Sequence, residues 1–417
     1  MKEKGYGSLK VLGMKVLPFY LFAFLLLILT GCIEEYEADI SENDSDLLVV
    51  EGTICSGEWN TFFLSRTMPL HSANEADIAY SRYYPGMYDM PGIVYRATVS
   101  VRGSDGSEIM AQGDGGYYGC WIDNLDPNVK YYLHIEVDGD VYESEPQKPL
   151  RTEKIADVRG VQNTPESPID VLVTPEAPFD PDKANYYSWT YDETWEVHPD
   201  YVTEMSLDIN KMEPVYNPNQ FPKRGWKNAT STSIMVGASS SYDGQHIQRL
   251  KIYDLDRSNE RVHHRYSGLL HQRAITKAEY EYHLARVQAS SEMGGLFTPQ
   301  PSALPTNIRC LTSPTHVIGY VGCSLNTTDY RFFLDAKDFT VYIPPVEDAR
   351  IWFEKTTIQD CLLMLKRDYY LCYWEDNRMG GGALKTAWAP ERLLDVRYKG
   401  AYIDEPDFWS LEGNVSY

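Results

Sequence analysis

The sequence predicts a mainly β protein: an N-terminal immunoglobulin- or fibronectin-like β-sandwich followed by a larger β-rich C-terminal domain with one inserted helix. Short segments that alternate between apolar and polar residues recur at close spacing, which is the pattern of half-buried strands. Turn residues separate them, most clearly at Asp138-Gly139, where both positions tolerate the positive φ of a tight hairpin. One clear helical pattern stands out, at about residues 276–292.

Residues 1–31 have the pattern of a lipoprotein signal peptide. Lysines precede an apolar run at residues 16–29, and the run ends in Leu29-Thr30-Gly31-Cys32. The run is shorter than the about twenty apolar residues that a membrane-spanning helix needs. We therefore expect cleavage before Cys32 and lipidation of its thiol, with two or three acyl chains anchoring the chain to a membrane. An uncleaved signal anchor is the alternative.

Residues 32–45 are predicted to form an acidic tether. Glu34, Glu35 and Glu37 follow the cysteine closely, and an acidic patch in this place resembles the surface-export signal of Bacteroidota lipoproteins. The resemblance implies an outer-membrane lipoprotein that faces the cell surface. A solvated linker with no role in export is the alternative.

The net charge of −22 limits the classes of molecule that this protein can bind. Residues 1–31 carry four lysines and one glutamate, so removing them leaves a net charge near −25. A body this acidic repels nucleic acid and anionic lipid surfaces, and no cluster of Lys and Arg supports nucleic-acid binding. Nucleic-acid binding is therefore excluded.

Six cysteines remain after Cys32, an even number that is compatible with disulfides in an exported chain. The sequence leaves their connectivity open. Pairs that close short loops, Cys310 with Cys323 and Cys361 with Cys372, are favoured weakly. The others are Cys55 and Cys120.

The predicted sandwich occupies residues 46–152. Its strands fall at residues 47–54, 61–65, 94–102 and 131–137, and a return strand begins at Val141. A Pro-rich stretch at residues 153–183 then marks a boundary. Residues 184–417 form the predicted C-terminal domain.

The predicted helix begins with a capping box of Thr276 and Glu279. Tyr280, Leu284 and Val287 share one face at helical spacing. Gly294-Gly295 would end the helix. Residues 357–373 fit either a second helix or a pair of strands, and the pattern does not decide between them.

Several separated motifs resemble the "domain of unknown function 4249" lipoproteins of Bacteroidota. The motifs are residues 48–54, 63–67, 97–101, 186–189, 193–195, 278–280, 294–302, 307–308, 317–320 and 406–409. Two details depart from the family pattern. Leu393-Leu394-Asp395-Val396 stands where members carry C-x-D-C, and Pro305-Thr306 rather than glycine precedes Asn307. The resemblance implies no established activity, and a role as an accessory to a neighbouring TonB-dependent outer-membrane transporter.

The known sequence motifs of enzymes and cofactor sites are missing, which favours a protein without enzymatic activity or cofactor. Residues 113–119 are rich in glycine but lie between predicted strands, so we expect a turn. Residues 254–260 resemble a calcium loop without its glycine and its bidentate glutamate. His263 and His264 are adjacent, so their side chains should point apart and bind no common metal.

The aromatic content is unusual, with 32 Tyr and 9 Trp. Flat rings with a polar edge suit the binding of glycans or peptides, although they also fill β cores. Aromatic residues and methionines crowd the predicted loop at residues 74–95, which makes it a candidate binding loop. Its tyrosines include Tyr80, Tyr83, Tyr84 and Tyr88.

The leading hypothesis is thus a non-enzymatic surface lipoprotein that captures a ligand or offers a docking surface beside a transporter. A structural or adhesive surface module is the alternative. A hydrolase without a recognisable motif is a third interpretation, and a deep pocket lined by convergent titratable groups would favour it.

Overall fold

The computed structural model describes residues 46–68, 92–180, 182–291, 304–411 and 413–416. This part of the chain is mainly β, which confirms the predicted class. The strands are β1 (Leu48–Cys55), β2 (Glu58–Arg66), β3 (Thr98–Gly103), β4 (Glu108–Asp114), β5 (Tyr117–Ile122), β6 (Tyr131–Val137), β7 (Asp140–Ser144), β8 (Ile155–Gln162), β9 (Ile169–Pro175), β10 (Tyr186–Val197), β11 (Met205–Asp208), β12 (Glu213–Tyr216), β13 (Gly225–Thr230), β14 (Met235–Ala238), β15 (Leu250–Leu255), β16 (Arg265–Ile275), β17 (Ile308–Cys310), β18 (Ile318–Ser324), β19 (Thr328–Asp335), β20 (Ile351–Phe353), β21 (Tyr369–Asp376), β22 (Leu384–Pro390) and β23 (Val415–Ser416). The α-helices are α1 (Lys277–Ser291) and α2 (Ile358–Lys366).

Nine strands form one nearly closed, barrel-like sheet in the order β17-β7-β6-β3-β4-β5-β2-β1-β18. It differs from the predicted two-sheet sandwich in two ways. First, β4 belongs to both halves of the sheet, because its first residues pair with β3 and its last residues with β5. Second, β17 and β18 come from residues 308–324, far beyond residue 152, and β18 lies parallel to β1. Pairing between strands so far apart in the sequence cannot be predicted from the pattern of neighbouring residues.

The side chain of Asn307 joins the two edges of this sheet. Its Nδ2 donates to the carbonyl of Val321 at 2.8 Å, and its Oδ1 accepts from the N–H of Val321 at 3.0 Å. Thr306 adds a bond to the carbonyl of Gly319 at 2.8 Å. Asn307 lies just before β17, and Val321 lies in β18. The side-chain amide of Asn307 therefore makes the two hydrogen bonds that a neighbouring strand would otherwise make to Val321, and it links the two edges of the barrel.

Alternating inward residues fill the barrel, as the period of two predicted. Val50, Phe62, Leu64 and Val99 are completely buried, and each such side chain contributes about 1.5–3 kcal/mol by leaving water. The predicted turn at Asp138-Gly139 is confirmed, with φ of 53° and 90° between β6 and β7.

Two further sheets build the rest of the main body. One has the order β13-β10-β16-β19-β23, with β14 also paired to β10, and the other has the order β15-β9-β8. Trp189, Tyr266 and Phe332 are buried in their common core. The stretch predicted as a Pro-rich boundary therefore contains the paired strands β8 and β9. Ile169, Val171 and Val173 alternate inward and join that core.

A smaller sheet, β20-β22-β21, packs with α2 around Cys361, Met364, Leu371 and Trp388. Residues 357–373, which the sequence left undecided, thus contain a helix followed by the start of a strand. Within the described part of the chain, no helix has the length and hydropathy to cross a membrane.

The six cysteines that the structure describes are all free. The two weakly favoured disulfides are therefore not formed. Cys323 is buried in the barrel core, whereas the sulfur of Cys310 lies 3.3 Å from the Thr312 hydroxyl and 3.2 Å from the Ser313 hydroxyl. Cys361 and Cys372 belong to different apolar clusters.

Candidate functional site

Helix α1 buries a polar face. It spans Lys277–Ser291, close to the predicted 276–292, and Thr276 Oγ1 accepts from the N–H of Glu279 at 3.1 Å as the predicted cap requires. On the face shared by Tyr280, Leu284 and Val287, the first two side chains are half-buried and Val287 is 51% exposed. Glu279, Tyr282 and His283 are the buried residues instead, at the i, i+3 and i+4 spacing that places side chains on one side of a helix.

The carboxylate of Glu279 packs directly on β18. A Cβ at Gly322 would lie 2.4 Å from Glu279 Oε1, so only glycine leaves room for it. A terminal nitrogen of Arg273 and His283 Nε2 each lie 3.9 Å from the same oxygen. At that distance neither contact is a hydrogen bond, and Arg273 attracts the carboxylate of Glu279 as an opposite charge.

Two buried nitrogens beside Glu279 have no hydrogen-bond partner in the described part of the chain. They are His283 Nδ1 and Arg273 Nε. A buried polar atom that stays unpaired costs about 1–3 kcal/mol. Arg273 and His283 thus keep hydrogen-bonding capacity that the protein itself does not use.

These residues line a cavity of about 370 Å³, here called the α1 cleft. β1 and β2 contribute Glu51, Glu58, Trp59 and Asn60, β10 contributes Thr190, and α1 adds Tyr282 and Arg286. A more apolar cavity of about 790 Å³ adjoins it and shares Glu51, His283 and Arg286. Both volumes lie in the ordinary range for ligand sites, about 300–1,000 Å³.

The walls of the α1 cleft are fixed by an ion pair and by neutral phenols. Arg286 of α1 donates to Glu51 of β1 at 2.6 Å. Burial raises the pKa of Tyr282 and of Tyr320, so both hydroxyls stay protonated at neutral pH. Burial also raises the pKa of Cys55, near Arg273, to about 12. Because its thiol stays protonated, Cys55 is not poised as a nucleophile.

An exposed row of aromatic side chains leads to the cleft. Trp59 of β2 lies opposite Trp121 of β5, and the two are 59% and 52% exposed. Further along the same strands, Phe63 lies opposite Tyr117 with ring centroids 4.8 Å apart. We call Trp59, Trp121, Phe63 and Tyr117 the aromatic row.

Two local contacts hold the tryptophans of the row in place. The indole of Trp59 lies against Gly119, where a Cβ would come 2.5 Å from Nε1. Trp121 Nε1 donates to Asp123 Oδ1 at 2.6 Å. Because Trp59 also lines the α1 cleft, the row and the cleft form one continuous surface.

The residues that the sequence singled out lie elsewhere. Cys32 and the acidic patch of Glu34, Glu35 and Glu37 are outside the described residues. So are the tyrosines of the candidate binding loop, Tyr80, Tyr83, Tyr84 and Tyr88. The N–H of Arg66, at the end of β2, donates to the carbonyl of Gly92 at 2.7 Å, so the two ends of that segment meet. All these assignments remain predictions.

The remaining motifs have structural explanations. Residues 113–119 contain a hairpin turn, as predicted, with positive φ at Gly115 and Gly116.

In the calcium-like segment, Asp256 Oδ1 accepts from the N–H of Ser258 at 2.8 Å and closes a turn. His263 bonds to the carbonyl of Ser258. Its neighbour His264 stacks on His198, with ring centroids 3.7 Å apart. Across the described ranges, no group of three or more His, Cys, Asp or Glu is placed to hold a metal ion.

Sequence reasoning missed most of this site, although one signal was present. Trp59, Thr61 and Phe63 alternate with the buried Asn60, Phe62 and Leu64 along β2. That period places an unusually large tryptophan on the outer face. Nothing in the sequence indicated that α1 would bury its charged side, since polar helix residues usually face solvent.

A family model described as a domain of unknown function (DUF4249) matches residues 33–329, which include the aromatic row and the α1 cleft. A search of curated proteins found no sequence match. Because the family model matches well over half of its length, the chain belongs to the DUF4249 family.

Proposed function

We propose that this protein is a non-enzymatic, lipid-anchored surface protein of the outer membrane that captures a glycan and works beside a TonB-dependent transporter. The observation that carries the proposal is the meeting of the aromatic row and the α1 cleft at Trp59. One part offers flat exposed rings, and the other offers buried hydrogen-bonding groups.

A glycan fits both parts better than a purely apolar ligand does. The faces of Trp59 and Trp121 can pack against the C–H faces of sugar rings, and their rigid rings lose little conformational entropy on binding. The polar side chains of Arg273 and His283 line the cleft and offer hydrogen bonds to sugar hydroxyls. A peptide also has carbonyls and apolar side chains, so peptide binding is the competing outcome of the test.

The anchor and the location rest on the sequence. Cys32 at the end of a lipobox supports lipidation, and Glu34, Glu35 and Glu37 support export to the surface. The resemblance to lipoproteins encoded beside TonB-dependent transporters supports the partner. Recovery of this protein from detergent-solubilised membranes without any β-barrel protein would count against that partnership.

Glycan and peptide arrays probed with residues 33–417 test the capture of a ligand. We expect binding to glycans that falls at least tenfold in Trp59→Ala and Trp121→Ala. The matched control is Trp352→Ala, because Trp352 is 45% exposed but lies on β20, outside the site. Equal binding by all four proteins would contradict the proposal. No binding to either array would favour the alternative of a structural or adhesive surface module.

One observation at the α1 cleft favours the alternative interpretation that the protein is a hydrolase. Glu51, Glu58 and Glu279 line the cleft together with His283, and paired carboxylates are the usual catalytic groups of glycosidases. If bound oligosaccharides are cleaved and Glu279→Gln abolishes turnover while keeping affinity, the protein is an enzyme. Intact oligosaccharide after prolonged incubation with the parent protein supports capture alone.

A further inference from the structure

The aromatic row is long enough to contact several sugar rings at once. Its first pair, Trp59 and Trp121, and its second pair, Phe63 and Tyr117, are four residues apart on each strand. Four residues of strand, at about 3.3 Å each, place the two pairs about 13 Å apart. A single sugar ring cannot span that distance, so a ligand that uses the whole row has to be an extended chain.

Small residues lie between the two pairs. Thr61 of β2 is opposite Gly119 of β5. The indole of Trp59 leans over that glycine, because a Cβ there would come 2.5, 2.7 and 2.7 Å from three of its atoms. The ring of Trp59 is thus directed along β5 towards Tyr117, and the aromatic surface follows the direction of the strands.

The row itself carries no charge. The outward residues of the two paired strands are all neutral: Trp59, Thr61, Phe63, Tyr117, Gly119 and Trp121. Three carboxylates lie beside them. Glu51 is opposite Phe63 on β1, Glu58 lines the α1 cleft with Trp59, and Asp123 accepts from the indole of Trp121.

The cations that line the α1 cleft, and the one at the end of β2, each face a carboxylate. The pairs are Arg286 with Glu51 at 2.6 Å, Arg273 with Glu279 at 3.9 Å and Arg66 with Asp138 at 2.8 Å. A uronate or a sulfated sugar would therefore meet an acidic surface whose cations are already engaged, in a chain with a net charge of −22. Like charges repel, so this surface disfavours anionic glycans.

We infer that the ligand of this site is a neutral, straight polysaccharide that lies along the aromatic row. The inference rests on the proposed capture of a glycan and names the class of glycan. Sugars joined through equatorial bonds form a straight ribbon with C–H faces on its two sides. Successive rings of such a chain can pack on Trp59 and then on Tyr117, whereas axial linkages coil the chain away from a straight row of rings.

Calorimetry with residues 33–417 tests the class of ligand. The straight probes are β-1,4-linked oligosaccharides of glucose, mannose and xylose, each with two or six units. Maltohexaose is the coiled probe, and a six-unit chain of galacturonic acid is the anionic one. We expect at least one straight six-unit chain to bind, at least tenfold more tightly than its two-unit form and than the coiled and anionic probes.

Tyr117→Ala tests the use of the whole row. The side chain of Tyr117 is 60% exposed, so its removal should leave thermal unfolding unchanged. We expect the affinity for the six-unit chain to fall at least fivefold, because the second aromatic pair is lost. Tyr216→Ala is the matched control, since Tyr216 is 72% exposed on β12, outside the row, and should keep the affinity of the parent.

Three results would overturn the inference. One is equal affinity for the two-unit and six-unit straight chains. Another is binding of the coiled or the anionic probe that is as tight as that of the straight chains. The third is a loss of affinity in Tyr117→Ala no larger than in Tyr216→Ala.

The inference and the proposed function can fail separately. Array binding that depends on Trp59 and Trp121, with none of the straight chains bound, would overturn this class of ligand and leave glycan capture standing. Absence of binding to every glycan would remove the proposed function and this inference with it.

Discussion

The carboxylate of Glu279 rests on the Cα of Gly322, at a spacing that a Cβ would reduce to 2.4 Å. This contact joins α1 to β18, and β18 is also the strand that closes the barrel through Asn307. The residues that shape the α1 cleft are thus tied to the residues that complete the fold.

Replacing Gly322 with alanine should displace the carboxylate of Glu279 from its contact with β18. Overpacking of this kind costs about 1–3 kcal/mol, and we expect that loss in the free energy of unfolding measured by urea titration. Gly380→Ala is the control, because a Cβ there has no neighbour within 4 Å. A loss no larger in Gly322→Ala than in Gly380→Ala would mean that the contact with Glu279 does not constrain the structure.

Removing the amide of Asn307 should weaken the closure of the barrel. Gln147 still donates to the carbonyl of Val321 at 2.7 Å, so Asn307→Ala chiefly leaves the buried N–H of Val321 unpaired. That penalty is about 1–3 kcal/mol. The exposed Asn128 serves as the control, since Asn128→Ala should stay within about 0.5 kcal/mol. Hydrogen exchange at Val321 that is no faster in Asn307→Ala would contradict this role.

Acid should destabilise the protein through His264. Its burial, together with the charge of the stacked His198, lowers its pKa from the ordinary 6.5 to about 4. Protonation therefore favours the unfolded state, and this contribution to stability is present above pH 6.5 and lost as the pH falls towards 4.

Chemical unfolding at pH 7 and at pH 4.5 tests this loss. The free-energy difference between the two pH values should shrink by about 1–2 kcal/mol in His264→Gln compared with the parent protein. His263→Gln is the comparison variant, because it removes a neighbouring histidine and leaves the stacked pair of His198 and His264 intact. If His264→Gln loses as much stability in acid as the parent, the stacked pair does not sense pH.

The acidic patch after Cys32 should direct export to the cell surface. With Glu34, Glu35 and Glu37 changed to Ala, we expect the lipoprotein to stay in the membrane fraction but to resist protease added to intact cells. The parent protein should be cleaved under the same conditions. Cleavage of the triple variant at the parent rate would show that the patch is only a tether.

The sequence predicted local features well because they depend on neighbouring residues. The Asp138-Gly139 turn, the alternation along β6 and the cap at Thr276 all follow from a few adjacent positions. The parallel pairing of β1 with β18 spans more than two hundred residues and has no such signal. For that reason the barrel was predicted as a sandwich.

The candidate site was predictable only in part. The high content of Tyr and Trp was visible in the sequence, and the alternation in β2 would have pointed to Trp59. The burial of Glu279 and His283 depends on the packing of β10, β14 and β18 against α1. That packing is a tertiary effect, so the apolar face of Tyr280, Leu284 and Val287 gave no sign of it.

The most direct test of the account is the capture of a fluorescent glycan, chosen from the array, by intact cells. Cells that carry the parent protein should bind the glycan, and cells with Trp59→Ala and Trp121→Ala should lose at least nine-tenths of that binding at equal surface abundance. Cells with Cys32→Ser should release the protein and its bound glycan into the medium. Undiminished binding by cells that carry the double tryptophan variant would contradict the claim that this surface captures the ligand.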